Sequence, residues 1–352
     1  MIEAVGLRRP IFAKKVNFPV CLAPMVGLSH VSFRRLARSY LPAGAVTIWP
    51  TEMLSTFKLP QEKVGSTPET RRDPGEGLLV PQILGNEPKP ISDSVKVLED
   101  WGADGIDINM GCPVNKALKH NYGVALMGDA GYAADVVRAT VASTQKPVSV
   151  KLRAGFDGKI DFLKSFVRGL ESAGASYLTI HPRTAEQKRR GRADWSQIRE
   201  LRESVSVPVI GNGDIQVADD VFRMLSETGC DMAMAGRALT ARPWILWQIG
   251  ERLGFPPPIG RVGRAPVGER EEALEYGRAL LSMCDHVESD FGGELGLRKL
   301  RFFIRTGSVW LDFGNSLYAL AMKHKTISDV RSAIIEFFKN DLRLVQRTEL
   351  RN

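Results

Sequence analysis

The chain has 352 residues, with 48 lysines and arginines against 40 aspartates and glutamates for a formal charge of +8, and it is 43% hydrophobic and 25% charged. That is the composition of a folded globular protein, and it excludes disorder, collagen-like repeats and a disulfide-stapled miniprotein. The four cysteines, Cys21, Cys112, Cys230 and Cys284, lie far apart with no paired spacing, which argues against zinc and against a secreted disulfide framework and points to a reducing cytoplasm.

Along the chain, short apolar and β-branched runs recur between Gly and Pro: VCLAPM (20–25), AVTIWPTEM (45–53), LLVPQILG (78–85), GIDINMG (105–111), PVSVKLR (147–153), YLTIHPR (177–183), VPVIGNG (207–213) and MAMAGRAL (232–239). Segments with helical periodicity, such as VSFRRLARSYL and DFLKSFVRGLESAGA, separate most of them. The alternation implies a parallel sheet with crossover helices, and eight units over roughly 240 residues predict an α/β fold, a closed (β/α)8 TIM barrel. No G-x-G-x-x-G follows the first run, which weakens a dinucleotide-binding alternative. The stretch 54–77 reads as a long loop. The Pro/Gly/Arg segment FPPPIGRVGRAPVGER is the strongest boundary signal. The predicted organisation is a barrel over 1–253, a linker over 254–268 and a small all-helical domain over 269–352, built from the helical patterns EREEALEYGRALLSMCDHVES, LGLRKLRFFIRTGSVWL and ISDVRSAIIEFFKNDLRLVQRT. No apolar run approaches a membrane span, and the start MIEAVGLRRPIF lacks the apolar core of a signal peptide, so a soluble cytoplasmic protein is expected.

In such a barrel the C-terminal strand ends converge on one mouth. Those ends carry Pro24 and Met25, Glu52, Gln82, Asn109 and Cys112, Lys151 and Arg153, His181 and Arg183, Asn212 and Asp214, and Gly236 and Arg237. Any one could be a cap, a satisfied core histidine or half of an ion pair. Their recurrence in eight units is hard to attribute to packing. The amides of Gln82 and Asn109 suit the donor and acceptor edge of a flavin or pyrimidine, and Lys151 places positive charge where a reduced flavin gathers negative charge. GNGD and AGR follow the seventh and eighth runs, where barrels commonly hold phosphate. Free thiols, with a reference pKa of about 8.5, are mostly protonated at neutral pH, so a cysteine in the INMGCPVNK turn suits a proton donor better than a nucleophile. Two basic clusters, Arg183 with Lys188, Arg189, Arg190 and Arg192, and Arg298 with Lys299, Arg301 and Arg305, are either solvated faces or a phosphate-backbone footprint.

The set CLAPMVGLSH, DINMGCPVNK, SVKLRAGFDG, TIHPRTAEQ, GNGDI and MAGRAL, in this order, resembles the tRNA-dihydrouridine synthase family across nearly the whole barrel, and LGLRKLRFFI resembles that family's RNA-facing helical segment. The resemblance implies an FMN-dependent, NADPH-driven reduction of the C5–C6 bond of uridine in tRNA; a monomer is the simplest geometry for one tRNA, and no metal is expected. It implies that Pro24, Met25 and Val26 line the flavin and that Gln82, Asn109, Lys151 and His181 meet its ring edge. Asn212, Gly213, Asp214, Gly236 and Arg237 would hold its phosphate, and Cys112 would protonate C5. RNA contacts are expected from Lys116, Arg153, Arg183, Lys188, Arg189, Arg190, Arg298 and Lys299. Arg189, Ala117 and Val124 depart from the family's usual residues and are expected on the substrate side. A phosphate-binding aldolase with Lys151 as Schiff-base lysine leaves Cys112 and Gln82 without a role. A non-catalytic RNA-binding barrel leaves Cys112, Lys151 and GNGD unexplained.

Overall fold

A computed structural model describes residues 9–12 and 15–349. Seven of the eight apolar runs contain a whole strand and the second holds most of one: β1 (Val20–Leu22), β2 (Trp49–Ser55), β3 (Leu79–Leu84), β4 (Ile106–Met110), β5 (Val148–Arg153), β6 (Tyr177–His181), β7 (Val209–Asn212) and β8 (Met232–Ala235). All neighbours pair in parallel in the order β1-β8-β7-β6-β5-β4-β3-β2, the arrangement of a TIM barrel. Between β1 and β2 the wall is completed by Phe18 N, which donates to Val46 O at 3.2 Å, and by Thr47 Oγ1, which donates to Val20 O. The strands read as continuous apolar runs because both faces are covered. Cys21, Val80, Tyr177, Ile210, Met232 and Met234 fill the interior together with Ile11, and a second cluster lies between the strands and the surrounding helices.

The register of β2 against β3 jumps between Pro50 and Met53. Pro50 has no N–H to give the ladder, and Thr51 Oγ1 accepts from Gln82 N at 3.2 Å instead. The bulge leaves Glu52 buried at 4% exposure. The stretch read as a loop, 54–77, begins with the last two residues of β2, and beyond them holds no α-helix, only the single 3-10 turn Leu59–Gln61. It is anchored by Glu76, which forms a fully buried ion pair with Arg34 at 2.6 Å.

Beyond 254–268 the chain forms the helices Glu269–Asp290, Gly293–Gly307, Gly314–Lys323 and Ile327–Phe337. Three of these match the helical patterns. The ten-residue helix Gly314–Lys323 has no counterpart in the sequence reading, because it buries little beyond Leu317 and Ala321 and so presents barely one turn of periodicity. The last pattern also ends early: helicity stops at Phe337, and Leu344 pairs in a bridge with Leu311. One continuous apolar cluster runs from Phe18 in the barrel through Trp244 to Trp310 and Leu344, with the buried pair Arg242–Glu272 at 2.8 Å inside the junction. Among the described residues no helix is long and apolar enough to cross a membrane.

Candidate active site

The mouth is built around a chain of side-chain hydrogen bonds that crosses three strands. Ser149 Oγ donates to Asp107 Oδ1 at 2.7 Å, Gln82 Nε2 donates to Asp107 Oδ2 at 2.6 Å, and Asn109 Nδ2 donates to Gln82 Oε1 at 2.7 Å. Asn109 Oδ1 then accepts from the backbone amides of Gly111 at 3.0 Å and Cys112 at 2.9 Å. Each amide group uses one of its two donor hydrogens here, which leaves one N–H of Gln82 and one of Asn109 for a ligand. Asp107 and Ser149 were not singled out from sequence. Burial pushes the Asp107 carboxyl up, against the hydrogen bonds from Gln82 and Ser149. The available signal was the alternation in Asp-Ile-Asn: residues two apart on a strand share a face, so Asp107 points inward with Asn109.

Beside this chain stand cations short of partners. The Lys151 ammonium donates no hydrogen bond among the described residues, and burial, then the neighbouring Arg153 charge, brings it down to about 8. Across the mouth, Arg237 likewise donates no hydrogen bond. It is brought down to about 10 by burial and by the like charges of Arg189 and Arg183, with only Asp214 opposing them. His181 is held well below its ordinary value by burial and by Lys151, Arg153, Arg183 and Arg237, so its ring is neutral. Its Nε2 lies 3.1 Å from Arg183 Nη1, and because a guanidinium can only donate, the ring proton is placed on Nδ1. Crowded like charges that depress one another are an arrangement an anion relieves.

The loop after β7 shapes the same side. Gly213 has φ 120°, and a Cβ there would stand 2.8 Å from Ala193 Cβ. Asn212 Nδ2 donates to Met234 O at 2.8 Å, tying β7 to β8. The Asp214 carboxylate takes Arg183 on Oδ1 and Ala193 N, at 2.6 Å, on Oδ2. Asp214 therefore braces the loop. Pro24 and Met25 are half-buried, Val26 is exposed, and Gly236 is half-buried beside Met25 Sδ.

Cys112 is half-buried in the turn after β4. Its carbonyl accepts from Val124 N at 3.2 Å, and Gly123 presses against it: a Cβ at Gly123, whose φ is 60°, would lie 2.6 Å from Cys112 O. Ala117 and Val124, expected on the substrate side, are instead 2% and 0% exposed. They pack beneath the turn, so the departures there concern its support. Arg189 is exposed at the mouth.

The basic residues divide into two groups. Lys188, Arg189, Arg190 and Arg298 are exposed. Arg153 is half-buried and donates to Gly111 O and Lys188 O, both at 2.8 Å. Arg183, 3% exposed, is spent on Asp214, Gly191 O and Arg190 O. Lys299, 8% exposed, is turned onto Glu52. The Arg183 and Lys299 side chains, expected at RNA from their clusters, are thus held by carboxylates of the fold. The Lys116 side chain lies outside the described residues.

The profile of the family described as "Dihydrouridine synthase (Dus)" matches residues 21–303. A protein named "Probable tRNA-dihydrouridine synthase" from Rhizobium leguminosarum bv. phaseoli is 39% identical over 225 residues, covering 64% of this chain and 69% of that one. Another of that name, from Rhodobacter capsulatus, is 34% identical over 289 residues, covering 82% and 85%. Among solved structures, a 2-naphthoyl-CoA reductase complex superposes with a TM-score of 0.53 at 11% identity, over 73% of this chain and 53% of that one. Histamine dehydrogenase from Rhizobium sp. 4-9 gives 0.51 at 13%, over 78% and 49%. At such identities these likenesses speak for the fold alone. Fold and family together define a (β/α)8-barrel oxidoreductase. The chain belongs to the dihydrouridine synthase family.

Proposed function

We propose that this protein is a tRNA-dihydrouridine synthase that binds FMN, takes electrons from NADPH and reduces the C5–C6 bond of uridine in tRNA. The observation that carries the reading is the mouth itself: an amide pair at Gln82 and Asn109, joined by a hydrogen bond, and an ammonium at Lys151 and a guanidinium at Arg237, which donate no side-chain hydrogen bonds among the described residues, with a thiol beside them. This donor set fits an amide-edged ring with an anionic tail. Gln82, Asn109, Lys151 and the Nδ1–H of His181 meet the ring edge, while Pro24, Met25 and Val26 line it. Asn212, Gly213, Gly236 and above all Arg237 hold the phosphate, and Asp214 keeps Arg183 and the Ala193 amide in place around it. Reduced by NADPH, FMN bound there supplies a hydride for uracil C6. Cys112 gives its thiol proton to C5, held for that purpose by Asn109 and Gly123.

A uracil within folded tRNA reaches this mouth only when flipped out, at a cost of a few kcal/mol. The exposed Lys188, Arg189, Arg190 and Arg298 hold the RNA backbone, with Arg153 and, from the sequence resemblance, Lys116 as further RNA contacts. Protein purified with its cofactor is expected to be yellow and to release FMN on denaturation. A colourless protein that takes up no FMN would overturn the cofactor reading.

A further inference from the structure

The helix Gly293–Gly307 reaches back from the helical region to the rim of the barrel. Lys299 Nζ lies 3.4 Å from Glu52 Oε1, both side chains being nearly enclosed, and 5.1 Å from the centre of the Phe291 ring. The second carboxylate oxygen, Oε2, accepts from Gly27 N at 2.6 Å. Almost one turn beyond Lys299, Phe302 rests on the same glycine: a Cβ at Gly27, whose φ is 79°, would stand 2.9 Å from Phe302 Cε1. Gly27 lies in the turn that follows Pro24 and is closed by Leu28 N, which donates to Met25 O at 3.0 Å. From inside the barrel that turn is held by Met25 N, which donates to Ser29 Oγ at 2.8 Å, and by Ser29 Oγ, which donates to Ala23 O at 2.8 Å. The loop bearing Pro24, Met25 and Val26 is therefore fastened on its outer side by two residues of a different structural unit.

Stability alone is a poor account of this arrangement. Enclosing two charges costs about as much as their attraction returns, and apolar replacements of a buried pair are often neutral or stabilising. What an ion pair supplies better than two leucines is a fixed register. Here the register is that of the Gly27 amide, since one oxygen of Glu52 takes the amide while the other takes the ammonium. Glu69 is the remaining carboxylate that acts on Glu52, and it opposes Lys299.

We propose that Lys299 is a positioning residue for the cofactor, acting through Glu52 and together with Phe302 to set the Pro24–Gly27 loop. The helical unit then forms part of the cofactor site as well as part of the RNA grip. This rests on the reading that the loop lines FMN.

The test uses the full chain, stripped of flavin and titrated with FMN, with flavin fluorescence reporting affinity and the visible band reporting the ring's surroundings. Lys299→Met and Glu52→Gln are each expected to weaken FMN binding about tenfold or more and to shift the band. Lys299→Arg should restore most of the affinity, and the exposed Glu294→Ala on the same helix should change nothing. A folded Lys299→Met protein with unchanged affinity and band overturns the proposal and returns the pair to an ordinary tie between units. If Lys299→Met does not fold, Phe302→Ala, at a position 40% exposed, carries the same titration with the same two outcomes. Wild-type protein that takes up no FMN overturns the cofactor reading first and this proposal with it, whereas wild-type binding that the variants leave untouched overturns this proposal alone.

Discussion

Asn109 holds Cys112 by its backbone: the Asn109 side-chain oxygen accepts from the Cys112 amide at 2.9 Å, while the other end of the Asn109 side chain is committed to Gln82. The residue proposed to meet the ring edge is thus the residue that sets the Cys112 backbone, and a disturbance of one is expected to be felt at the other. Cys112→Ala is expected to lower kcat for dihydrouridine formation by a factor of about 10² to 10⁴, the usual yield of a positioned general acid, with flavin content unchanged. Single-turnover measurements that find the variant as fast as wild type would remove Cys112 from the role of proton donor.

Lys151 titrates near 8 in the folded protein instead of the ordinary 10.5. Below about pH 8 it is charged in both folded and unfolded states, and its enclosure opposes folding. Between about 8 and 10.5 the unfolded chain still holds the proton that the folded one has released, so the unfolded state binds more protons and stability rises with pH. The flavin-free protein should show that rise in denaturant titrations, and Lys151→Met should flatten it. Affinity for FMN should move the opposite way, falling above about pH 8 as the ammonium is lost. An affinity that is level across that range would show that the ammonium does not meet the cofactor.

Arg237→Ala removes the guanidinium proposed to meet the cofactor's phosphate. It is expected to weaken retention of FMN while leaving binding of riboflavin, which has no phosphate, nearly unchanged. Equal loss for both ligands would place Arg237 elsewhere than at the phosphate.

The strands were legible because a barrel wall covered on both sides must be written as unbroken apolar runs: seven fall within the segments read from sequence, and the second runs two residues past its segment, to Ser55. The ring of polar strand ends was legible for the same geometric reason. What could not be read was the direction in which a cation turns. Arg183 and Lys299 sit in basic clusters, yet their partners Asp214 and Glu52 lie 31 and 247 residues away, so only the assembled fold decides that these two point inward while Arg190 and Arg298 stay in solvent. The helix Gly314–Lys323 was missed through its short apolar stripe, and Ala117 and Val124 were misplaced because a loop gives no periodicity from which to read an inner face.

The exposed loop residues Lys188, Arg189 and Arg190 are expected to bind RNA through released counterions. Replacing all three by Ala should weaken tRNA binding and reduce the slope of log affinity against log salt by about 0.7 to 0.9 for each phosphate that the loop no longer neutralises. An unchanged slope would return this loop to a merely solvated face.

The proposed reaction is tested most directly by incubating the purified protein, FMN and NADPH with an unmodified tRNA transcript and weighing its nuclease fragments by mass spectrometry. One or more uridine-containing fragments should gain the mass of two hydrogens, and Cys112→Ala protein should largely fail to produce this gain. NADPH consumption with tRNA fragments of unaltered mass would contradict the assignment of tRNA uridine as the substrate.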